Sequence, residues 1–393
     1  MRPGLYLHIP FCSAICPYCD FAVLTGGPER RARFVEHLIA EMGLWAADPE
    51  GLRPFRGIDT IYFGGGTPSA LSPEQLGLIL DTAKRLLPVE ADAWTFLEAN
   101  PEDVTPESLR AWWEIGVRTL SLGIQSFDAA ALSFLGRRHS PEQARRSFEL
   151  AGAAGFDTVS IDLIYGMQGQ TLADWRRTLE VAVALNPDHL SCYQLTIHEG
   201  TPFGFRLERG KLAELPEESQ AELFLFTHEF LRGAGLSGYE VSNFARASEH
   251  QSRHNRKYWD HTPYLGIGPS AHSFAGGRRW WNERKTKPYE TRIEAGERPL
   301  AGSEELSSND LALEALMLGL RTVEGIDLRQ FQERYGVDLK QDNSQRLALL
   351  EERSYLRSDG GRLVPTLRGL AIADSLDRDF EIEPAPTVGP TSS

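Results

Sequence analysis

The chain has 393 residues, of which 41% are hydrophobic and 24% charged, and a formal net charge of -14. This length can bury one large core and a smaller one. The negative charge argues against a broad phosphate-binding surface, so we expect no nucleic-acid partner. No apolar run approaches the ~20 residues that cross a bilayer, so membrane contact would be peripheral. Few cysteines and no signal-peptide pattern at the start favour the reducing cytoplasm.

From residue 4 to about residue 195, strand-like and helix-like runs alternate, which is typical of βα units with a parallel sheet. The predicted strands are residues 5–8, 60–63, 94–99, 119–123, 158–164 and 189–195. The predicted helices are residues 30–47, 73–87, 106–114, 128–135, 141–154 and 174–185. Six units favour a partial barrel over a closed eightfold one, although periodicity alone does not separate it from an open doubly wound sheet. In either fold, ligands bind at the carboxyl ends of the strands.

Three cysteines, Cys12, Cys16 and Cys19, lie within eight residues after the first predicted strand. A loop of this length can hold three corners of a cubane iron-sulfur cluster, and the remaining cysteine, Cys192, is too far along the chain to be a fourth ligand in the same loop. One iron would then stay open for a small molecule. The alternatives are a zinc site, a disulfide or buried thiols. Zinc would need a second Cys or His pair, for which His8 alone is a poor substitute.

Further polar or glycine-rich residues follow the next predicted strands. After the second come three glycines, residues 64–66, which let a backbone approach a ligand closely but alone would suggest an ordinary turn. Glu98 stands at the end of the third, where a ligand ammonium or a neighbouring arginine would balance its charge. Asp162 lies inside the fifth and needs hydrogen-bond donors, for which ribose hydroxyls are suitable.

The CxxxCxxC motif, with an aromatic residue between its last two cysteines, resembles the radical S-adenosylmethionine (SAM) superfamily. This resemblance implies an α/β fold with a partial (β/α)6 barrel, a 4Fe-4S cluster on Cys12, Cys16 and Cys19, and SAM on the open iron. The spacing of later residues is similar to the HemN-like branch. It implies SAM contacts from Tyr6, Tyr18, Gly65, Gly66, Thr67, Glu98, Gln125, Arg137 and Asp162.

Beyond residue 195 the pattern loosens into a loop at residues 196–202, an amphipathic helix at 216–234 and an extended segment at 238–244. Residues 254–259 then have the pattern HNxxYW. Taken alone, this pattern would indicate a hydrogen-bonded histidine in a polar loop with two core aromatics. It resembles the motif that marks the HemW haem chaperones within the HemN-like branch. The resemblance implies a haem site containing His254, Asn255, Tyr258 and Trp259.

His254 is the candidate iron ligand in that site, because neutral imidazole commonly ligates haem iron. Tyr258 and Trp259 would offer flat apolar faces to the porphyrin. The rival ligands are His250, His261 and His272, together with Cys16 in its Cys-Pro pair.

A second unit is predicted for residues 300–380, with a helix capped by Ser307 or Ser308 and ending at residue 320, and further helices at 328–335 and 343–352. A hairpin of residues 355–357 and 362–365 completes a winged-helix-like domain, which has no basic stripe. In HemN-like proteins a comparable domain covers the barrel mouth. The predicted boundaries are 1–235 for the barrel, 236–299 for a HemW-type extension, 300–380 for the C-terminal domain and 381–393 for a disordered tail.

Two functions fit these residues. One is a haem chaperone that binds haem, a 4Fe-4S cluster and SAM and passes haem to an acceptor, such as a membrane respiratory enzyme. The other is an oxygen-independent coproporphyrinogen III oxidase, which uses radical SAM chemistry for oxidative decarboxylation. The oxidases carry a further cysteine where this chain has Phe21, have a longer segment before the first strand, and lack HNxxYW. These features favour a chaperone without oxidase activity, and the sequence is compatible with a homodimer.

Overall fold

The structure is a computed structural model that describes residues 1–378 and 380–382. The predicted disordered tail covers residues 381–393. Of these, residues 383–393 lie outside the described residues. At the start of that tail, the Asn343 side chain donates to the Glu381 carbonyl at 2.9 Å and accepts from the Glu381 amide at 2.7 Å. These two residues at least belong to the folded C-terminal unit.

Six βα units form the first half of the chain. Their elements are β1 (Gly4–Ile9), α1 (Pro28–Ala46), β2 (Ile58–Gly65), α2 (Pro73–Leu86), β3 (Val89–Ala99), α3 (Pro106–Glu114), β4 (Val117–Gln125), α4 (Ala129–Phe134), α5 (Pro141–Gly152), β5 (Thr158–Tyr165), α6 (Leu172–Ala184) and β6 (His189–Gln194). Strands β1 to β6 pair in parallel and in chain order. The predicted alternation is confirmed, with boundaries shifted by a few residues.

The local sequence explains these elements. In β1, Leu5, Leu7 and Ile9 are fully buried in the hydrophobic core, while Tyr6 and His8 alternate with them and face the barrel interior. Helices α2 to α6 begin at polar side-chain caps, of which Ser72, Thr105 and Thr171 each form a reciprocal capping box. Short-range signals of this kind are why the predicted helices start close to where the structure has them.

The next segment extends the barrel sheet on both sides. Its elements are α7 (Pro202–Glu208), α8 (Glu217–Gly233), β7 (Ser237–Gly238), β8 (Asn243–Ala245), α9 (Asn255–Trp259), β9 (Tyr264–Ile267), β10 (His272–Ala275), β11 (Arg278–Asn282), α10 (Thr286–Glu294) and β12 (Leu300–Glu305). The sheet order is β12-β11-β10-β9-β1-β2-β3-β4-β5-β6-β8-β7. The barrel is thus partial, because additional strands continue the sheet beyond β1 and β6.

Two details of this segment differ from the prediction. The extended segment predicted at 238–244 is two short antiparallel strands, β7 and β8, with a turn between them. Strand β12 pairs with β11, so the first six residues of the predicted C-terminal domain lie in the large sheet.

The C-terminal unit has its own core and a three-stranded sheet. Its elements are α11 (Ser308–Gly319), β13 (Ile326–Asp327), α12 (Leu328–Tyr335), α13 (Leu339–Asp342), α14 (Ser344–Glu352), β14 (Leu356–Asp359), β15 (Arg362–Pro365), α15 (Leu367–Leu370) and α16 (Ala373–Leu376). Its core includes Leu316, Phe331 and Leu363. The predicted helices and hairpin are present, and Ser307 is the cap of α11.

The C-terminal unit packs against the segment before and after β8. The Val241 amide donates to the Arg321 carbonyl at 3.1 Å, and Arg256 forms an ion pair with Glu324 at 2.9 Å. We call the amino ends of the barrel strands the floor; the Gly4 amide donates to the Pro263 carbonyl there, and Arg256 belongs to the same segment. Val241 lies nearer the carboxyl end of β6, because β8 runs antiparallel to β6 and places Asn243 opposite Ser191. The C-terminal unit therefore contacts both the floor and the β7–β8 hairpin, and its predicted position over the mouth stays a prediction. In the described part of the chain, no helix is long and apolar enough to cross a membrane.

Candidate functional site

A cavity of about 460 Å³ occupies the barrel interior and reaches from the carboxyl ends of the strands, the mouth, toward the floor. Around its mouth and middle it is lined by Cys12, Cys16, Tyr18, Cys19, Gly65, Gly66, Thr67, Glu98, Gln125, Arg137 and Asp162. Near the floor it is lined by His189, Asn243, His250, Ser252 and Asn255. The structure thus brings together in one cavity every residue predicted to contact the cluster or SAM except Tyr6.

The cysteine loop is anchored from several sides. The Cys12 amide donates to the Leu24 carbonyl at 3.0 Å, and the Cys19 amide donates to the Cys16 carbonyl at 3.1 Å. From outside the loop, the Phe203 amide donates to the Pro17 carbonyl at 2.9 Å. These bonds hold three half-buried free thiols toward one cavity.

The thiol chemistry suits a metal cluster. Burial, with smaller contributions from the nearby Cys12 and Cys16, raises the pKa of Cys19 to about 11. Burial also raises the pKa of Cys12. Thiolates are the form that binds metal, so bound iron would supply the positive charge that these buried sulfurs lack.

A cluster and a single ion would use the cysteines differently. Among the described residues, no three His, Cys, Asp or Glu side chains converge in a way that could hold one metal ion. A zinc site would need such convergence. In a cubane each cysteine binds a different iron, so Cys12, Cys16 and Cys19 can stand further apart.

The glycine loop after β2 packs directly on the cysteine loop. Gly65 has a φ of 107°, and a Cβ there would lie 2.6 Å from the His8 ring. The Gly66 amide donates to Ile9 at 2.8 Å, and the Thr67 hydroxyl lies 3.5 Å from the Cys12 sulfur. A side chain at residue 65 would collide with the His8 ring, and one at residue 66 with the backbone of residues 9–11, so only glycine permits this close approach to the start of the cysteine loop.

Arg137 connects the cysteine loop to the strand ends. Its Nη2 donates to Asn100 Oδ1 at 2.6 Å and to the Gly123 carbonyl at 2.9 Å. Its Nη1 lies 3.6 Å from the Cys16 sulfur. The Asn100 amide group in turn donates to Thr67 at 3.2 Å. Asn100 was not among the predicted site residues. Its position directly after the third strand, two residues beyond Glu98, could have indicated that it belongs to the site.

Gln125 ends β4 in a strained conformation. Its φ of 66° lies in the left-handed region, which non-glycine residues seldom adopt, and its side chain lines the cavity. Such strain persists where the surrounding structure enforces it and clusters at functional sites. A role for Gln125 in ligand binding would explain it.

Glu98 is buried beside the mouth without a basic partner in the described residues. Its Oε1 accepts from the Tyr62 hydroxyl at 2.7 Å, and the Gly65 amide also donates to it. Burial, with a smaller contribution from the neighbouring Asp162, raises the pKa of Glu98 to about 7. The neighbouring arginine considered from the sequence is therefore not its partner here. A cationic ligand would restore its usual acidity.

Asp162 lines the same cavity from β5. Both of its carboxylate oxygens accept from the Ser121 hydroxyl at 3.0 Å. Burial raises the pKa of Asp162 to about 6, while Ser191, Ser121 and Ser160 act in the opposite direction. A carboxylate surrounded by hydroxyls can accept further hydrogen bonds from a polyol such as ribose.

Tyr6 is the predicted SAM residue that does not line the cavity. Its hydroxyl is hydrogen-bonded to His8 Nδ1 at 3.1 Å, and its ring stacks on Tyr62 at 6.2 Å. His8 Nε2 is bonded to the Ala22 carbonyl at 3.0 Å. Tyr6 and His8 therefore brace the barrel wall and the loop that follows the cysteines.

The HNxxYW segment lies at the floor, at the opposite end from the cysteines. His254 is 1% exposed, with Nδ1 2.9 Å from Thr60 Oγ1 and Nε2 3.0 Å from the Tyr258 hydroxyl. Burial lowers the pKa of His254 to about 3, so the ring is neutral. Both nitrogens are occupied by hydrogen bonds, so His254 could ligate haem iron only by giving up one of them, and its predicted role as iron ligand stays a prediction.

The other residues of the motif also lie at the floor. Asn255 lines the cavity from below. Tyr258 packs edge-on against Tyr264 at 4.7 Å, and Trp259 contacts Tyr239 at 6.0 Å. Thr60 stands five residues before the end of β2, so at about 3.3 Å per residue this floor lies roughly 17 Å below the mouth.

Comparison with known proteins agrees with the fold. The Radical SAM superfamily model matches residues 6–182, and the HemN C-terminal domain model matches residues 306–372. The solved structure titled coproporphyrinogen III oxidase (HemN) from Escherichia coli superposes with a TM-score of 0.82 at 23% identity, covering 96% of this chain and 89% of that one. This likeness shows the fold. The barrel and its cysteine loop thus define a radical SAM protein, a class that implies a 4Fe-4S cluster and SAM.

Similar sequences identify the family within the radical SAM class. The heme chaperone HemW of Bacillus subtilis is 35% identical over 340 residues, covering 85% of this chain and 87% of the relative. The HemW of Mycobacterium tuberculosis H37Rv is 35% identical over 378 residues, covering 95% and 94%. That of Escherichia coli K12 is 36% identical over 333 residues, covering 84% and 85%. The chain belongs to the HemW family.

Proposed function

We propose that this protein is a haem chaperone of the cytoplasm that binds a 4Fe-4S cluster, SAM and haem and delivers haem to an acceptor protein. The observation that carries this proposal is the single cavity in which the three cysteines and the predicted SAM residues meet. The relatives named as haem chaperones, which align with most of this chain, supply the haem part of the proposal.

Cys12, Cys16 and Cys19 would hold the cluster, which supplies an open iron for the amino and carboxylate groups of SAM. Arg137 and Asn100 keep the loop around Cys16 in place by their hydrogen bonds to the strand ends. Gly65 and Gly66 allow the second strand to end against His8 and the backbone of residues 9–11, directly before Cys12, without a steric clash.

The carboxylates would orient SAM within the cavity. Glu98, near the mouth, would face the cationic part of the ligand, and Asp162 would accept hydrogen bonds from the ribose. Gln125 and Tyr18 complete the wall around the same space. The buried hydrogen bonds from Tyr62 and Ser121 hold the two carboxylates in position before the ligand arrives.

The alternative is the oxygen-independent coproporphyrinogen III oxidase, whose fold this chain shares. In this chain Phe21 stands where the oxidases are expected to carry a further cysteine, and its side chain is 65% exposed at the mouth. We therefore favour haem delivery without oxidase activity. The acceptor would be a haem-dependent protein such as a membrane respiratory enzyme, reached by peripheral membrane contact, and the chaperone could act as a homodimer.

One preparation can test the two functions. After anaerobic reconstitution of the cluster, haem binding and coproporphyrinogen decarboxylation are measured side by side with SAM and a reductant. We expect haem binding and its transfer to an apo-acceptor, without decarboxylation. Turnover of coproporphyrinogen without stable haem binding would instead identify the oxidase.

A further inference from the structure

With His254 occupied at the floor, the iron of bound haem needs another ligand. Three histidines line the cavity, and two of them are poorly suited. His189 is 5% exposed, with Nδ1 bonded to Ser160 at 2.8 Å and Nε2 to the Tyr239 hydroxyl at 2.8 Å. His250 lies at the floor, where Nδ1 is 2.9 Å from Thr158 Oγ1, the first residue of β5.

The third cavity histidine, His198, stands at the mouth. It follows β6 in an exposed loop, and its side chain is 47% exposed. Asp20 Oδ2 lies 3.7 Å from His198 Nδ1, and Asp20 directly follows the third cysteine. This separation is longer than a hydrogen bond, but it places a carboxylate on the Nδ1 side of the ring, where a carboxylate commonly supports a metal-ligating Nε2.

The rim beside His198 offers apolar faces and a cation. Phe21 is 65% exposed and Tyr193 is 42% exposed, and both line the cavity. Exposed aromatic side chains at a cavity rim mark a surface for an apolar ligand. Arg284, which is exposed, donates to the Asp20 carbonyl and so stands next to Phe21. Its guanidinium suits a carboxylate of the ligand.

We propose that haem binds across the mouth, with its iron on His198 Nε2, its ring against Phe21 and Tyr193, and a propionate toward Arg284. This inference rests on the proposed function and adds the site and the axial ligand. Haem is the occupant because the rim combines a solvent-facing imidazole, flat apolar faces and a cation in one place. A site at the mouth can also release haem to an acceptor without disturbing the floor.

The test is a ferric haem titration of the reconstituted full-length protein, followed by absorption and electron paramagnetic resonance spectra. His198→Ala should remove the imidazole-ligated spectrum and weaken haem binding by about tenfold or more. His198→Gly should recover that spectrum when free imidazole is added. Phe21→Ala should weaken binding while retaining the ligand spectrum. His272→Ala is the matched control, because His272 is exposed outside the cavity and stacks on Trp281 at 5.7 Å.

The outcomes separate the inference from the proposed function. If the wild-type protein binds no haem, the proposed function fails. If it binds haem and His198→Ala has the same spectrum and affinity, the inference alone is overturned. It is also overturned if His254→Ala loses the imidazole spectrum while His198→Ala retains it. Iron and sulfide content, measured on each variant, must equal wild type so that altered haem binding is not due to a lost cluster.

Discussion

His254 and Thr60 are joined by a hydrogen bond of 2.9 Å between the imidazole Nδ1 and the threonine hydroxyl, which fastens the HNxxYW segment to the second barrel strand. The imidazole also packs against the Tyr62 ring at 5.1 Å, and Tyr62 in turn donates to Glu98. The floor of the barrel is therefore connected through a single aromatic residue to a carboxylate of the SAM cavity. The motif supports the site from below rather than facing the mouth.

Replacing His254 should accordingly damage stability more than ligand binding. His254→Ala removes two buried hydrogen bonds and leaves a cavity, so we expect a loss of about 2 to 4 kcal/mol in the free energy of unfolding. Urea denaturation of the apo protein measures this loss, and a SAM titration under native conditions should show little change. Unchanged stability would show that the hydrogen bonds to Thr60 and Tyr258 do not hold the floor together.

An ion pair between the same motif and β2, in which the lysine is buried and the Asp59 side chain is 36% exposed, gives a second test. Lys257 is 2% exposed, and its Nζ donates to Asp59 at 2.6 Å and to the Arg2 carbonyl at 2.7 Å. Asp59→Asn leaves the lysine charge buried without its counterion and should cost about 3 kcal/mol or more. Lys257→Met removes that charge and should cost less. Equal losses in urea denaturation would contradict a role for the buried charge.

The haem-site prediction for Trp259 stays open to experiment. Trp259 is half-buried at the floor and contacts Tyr239. If haem binds at the mouth, Trp259→Ala should leave haem affinity within about twofold of wild type. A large loss of affinity in a folded Trp259→Ala variant would instead place the porphyrin at the floor. Circular dichroism of the variant checks that it is folded.

The sequence predicted the barrel well because its signals are local. Capping residues such as Ser72 and Thr105 act within one turn, and the apolar strands lie between turn residues. The gathering of Cys12, Glu98 and Asp162 followed from a topological rule, since parallel strands place their carboxyl ends on one side. These features do not depend on knowing which distant segments touch.

The orientation of HNxxYW could not be predicted in this way. Its partners Thr60 and Asp59 are 194 and 198 residues away from His254 and Lys257, and no local pattern records such contacts. The strands β9 to β12 were missed because they are short and rich in glycine and aromatic residues. Their position is held by Glu41, a buried carboxylate on α1 that accepts from Asn282 and Tyr289.

The cluster assignment has a direct chemical test. Alanine at Cys12, Cys16 or Cys19 should abolish the broad visible charge-transfer absorption of the reconstituted protein, because each cysteine would bind a separate iron. Cys192→Ala is the matched control, since Cys192 is 2% exposed within β6 and belongs to the hydrophobic core. A triple alanine variant that still assembles full iron and sulfide would rule out this ligand set.

The remaining predictions concern the two carboxylates of the SAM cavity. Losing a charge-assisted hydrogen bond costs about 1.5 to 3 kcal/mol, so Glu98→Gln or Asp162→Asn should weaken SAM binding roughly ten- to a hundredfold. Glu41→Gln is a matched control, because burial also raises the pKa of Glu41 to about 7 but its partners lie outside the cavity. It should lower stability and leave SAM affinity unchanged.

The pH dependence separates ligand binding from folding at Glu98. The pKa of this residue is about 7 in the folded apo protein, above its usual 4.5, so the folded state binds more protons than the unfolded state between these values. Apo stability should therefore fall as pH rises through this window, and Glu98→Gln should make this dependence of stability on pH less steep.

The affinity for SAM should depend on pH in the opposite direction. SAM carries a positive sulfonium group and favours the ionised carboxylate, so its affinity should rise as pH rises through about 7. Isothermal titration from about pH 6 to about pH 8 measures this effect. The same rise in Glu98→Gln as in wild type would assign the dependence to another group, such as Asp162.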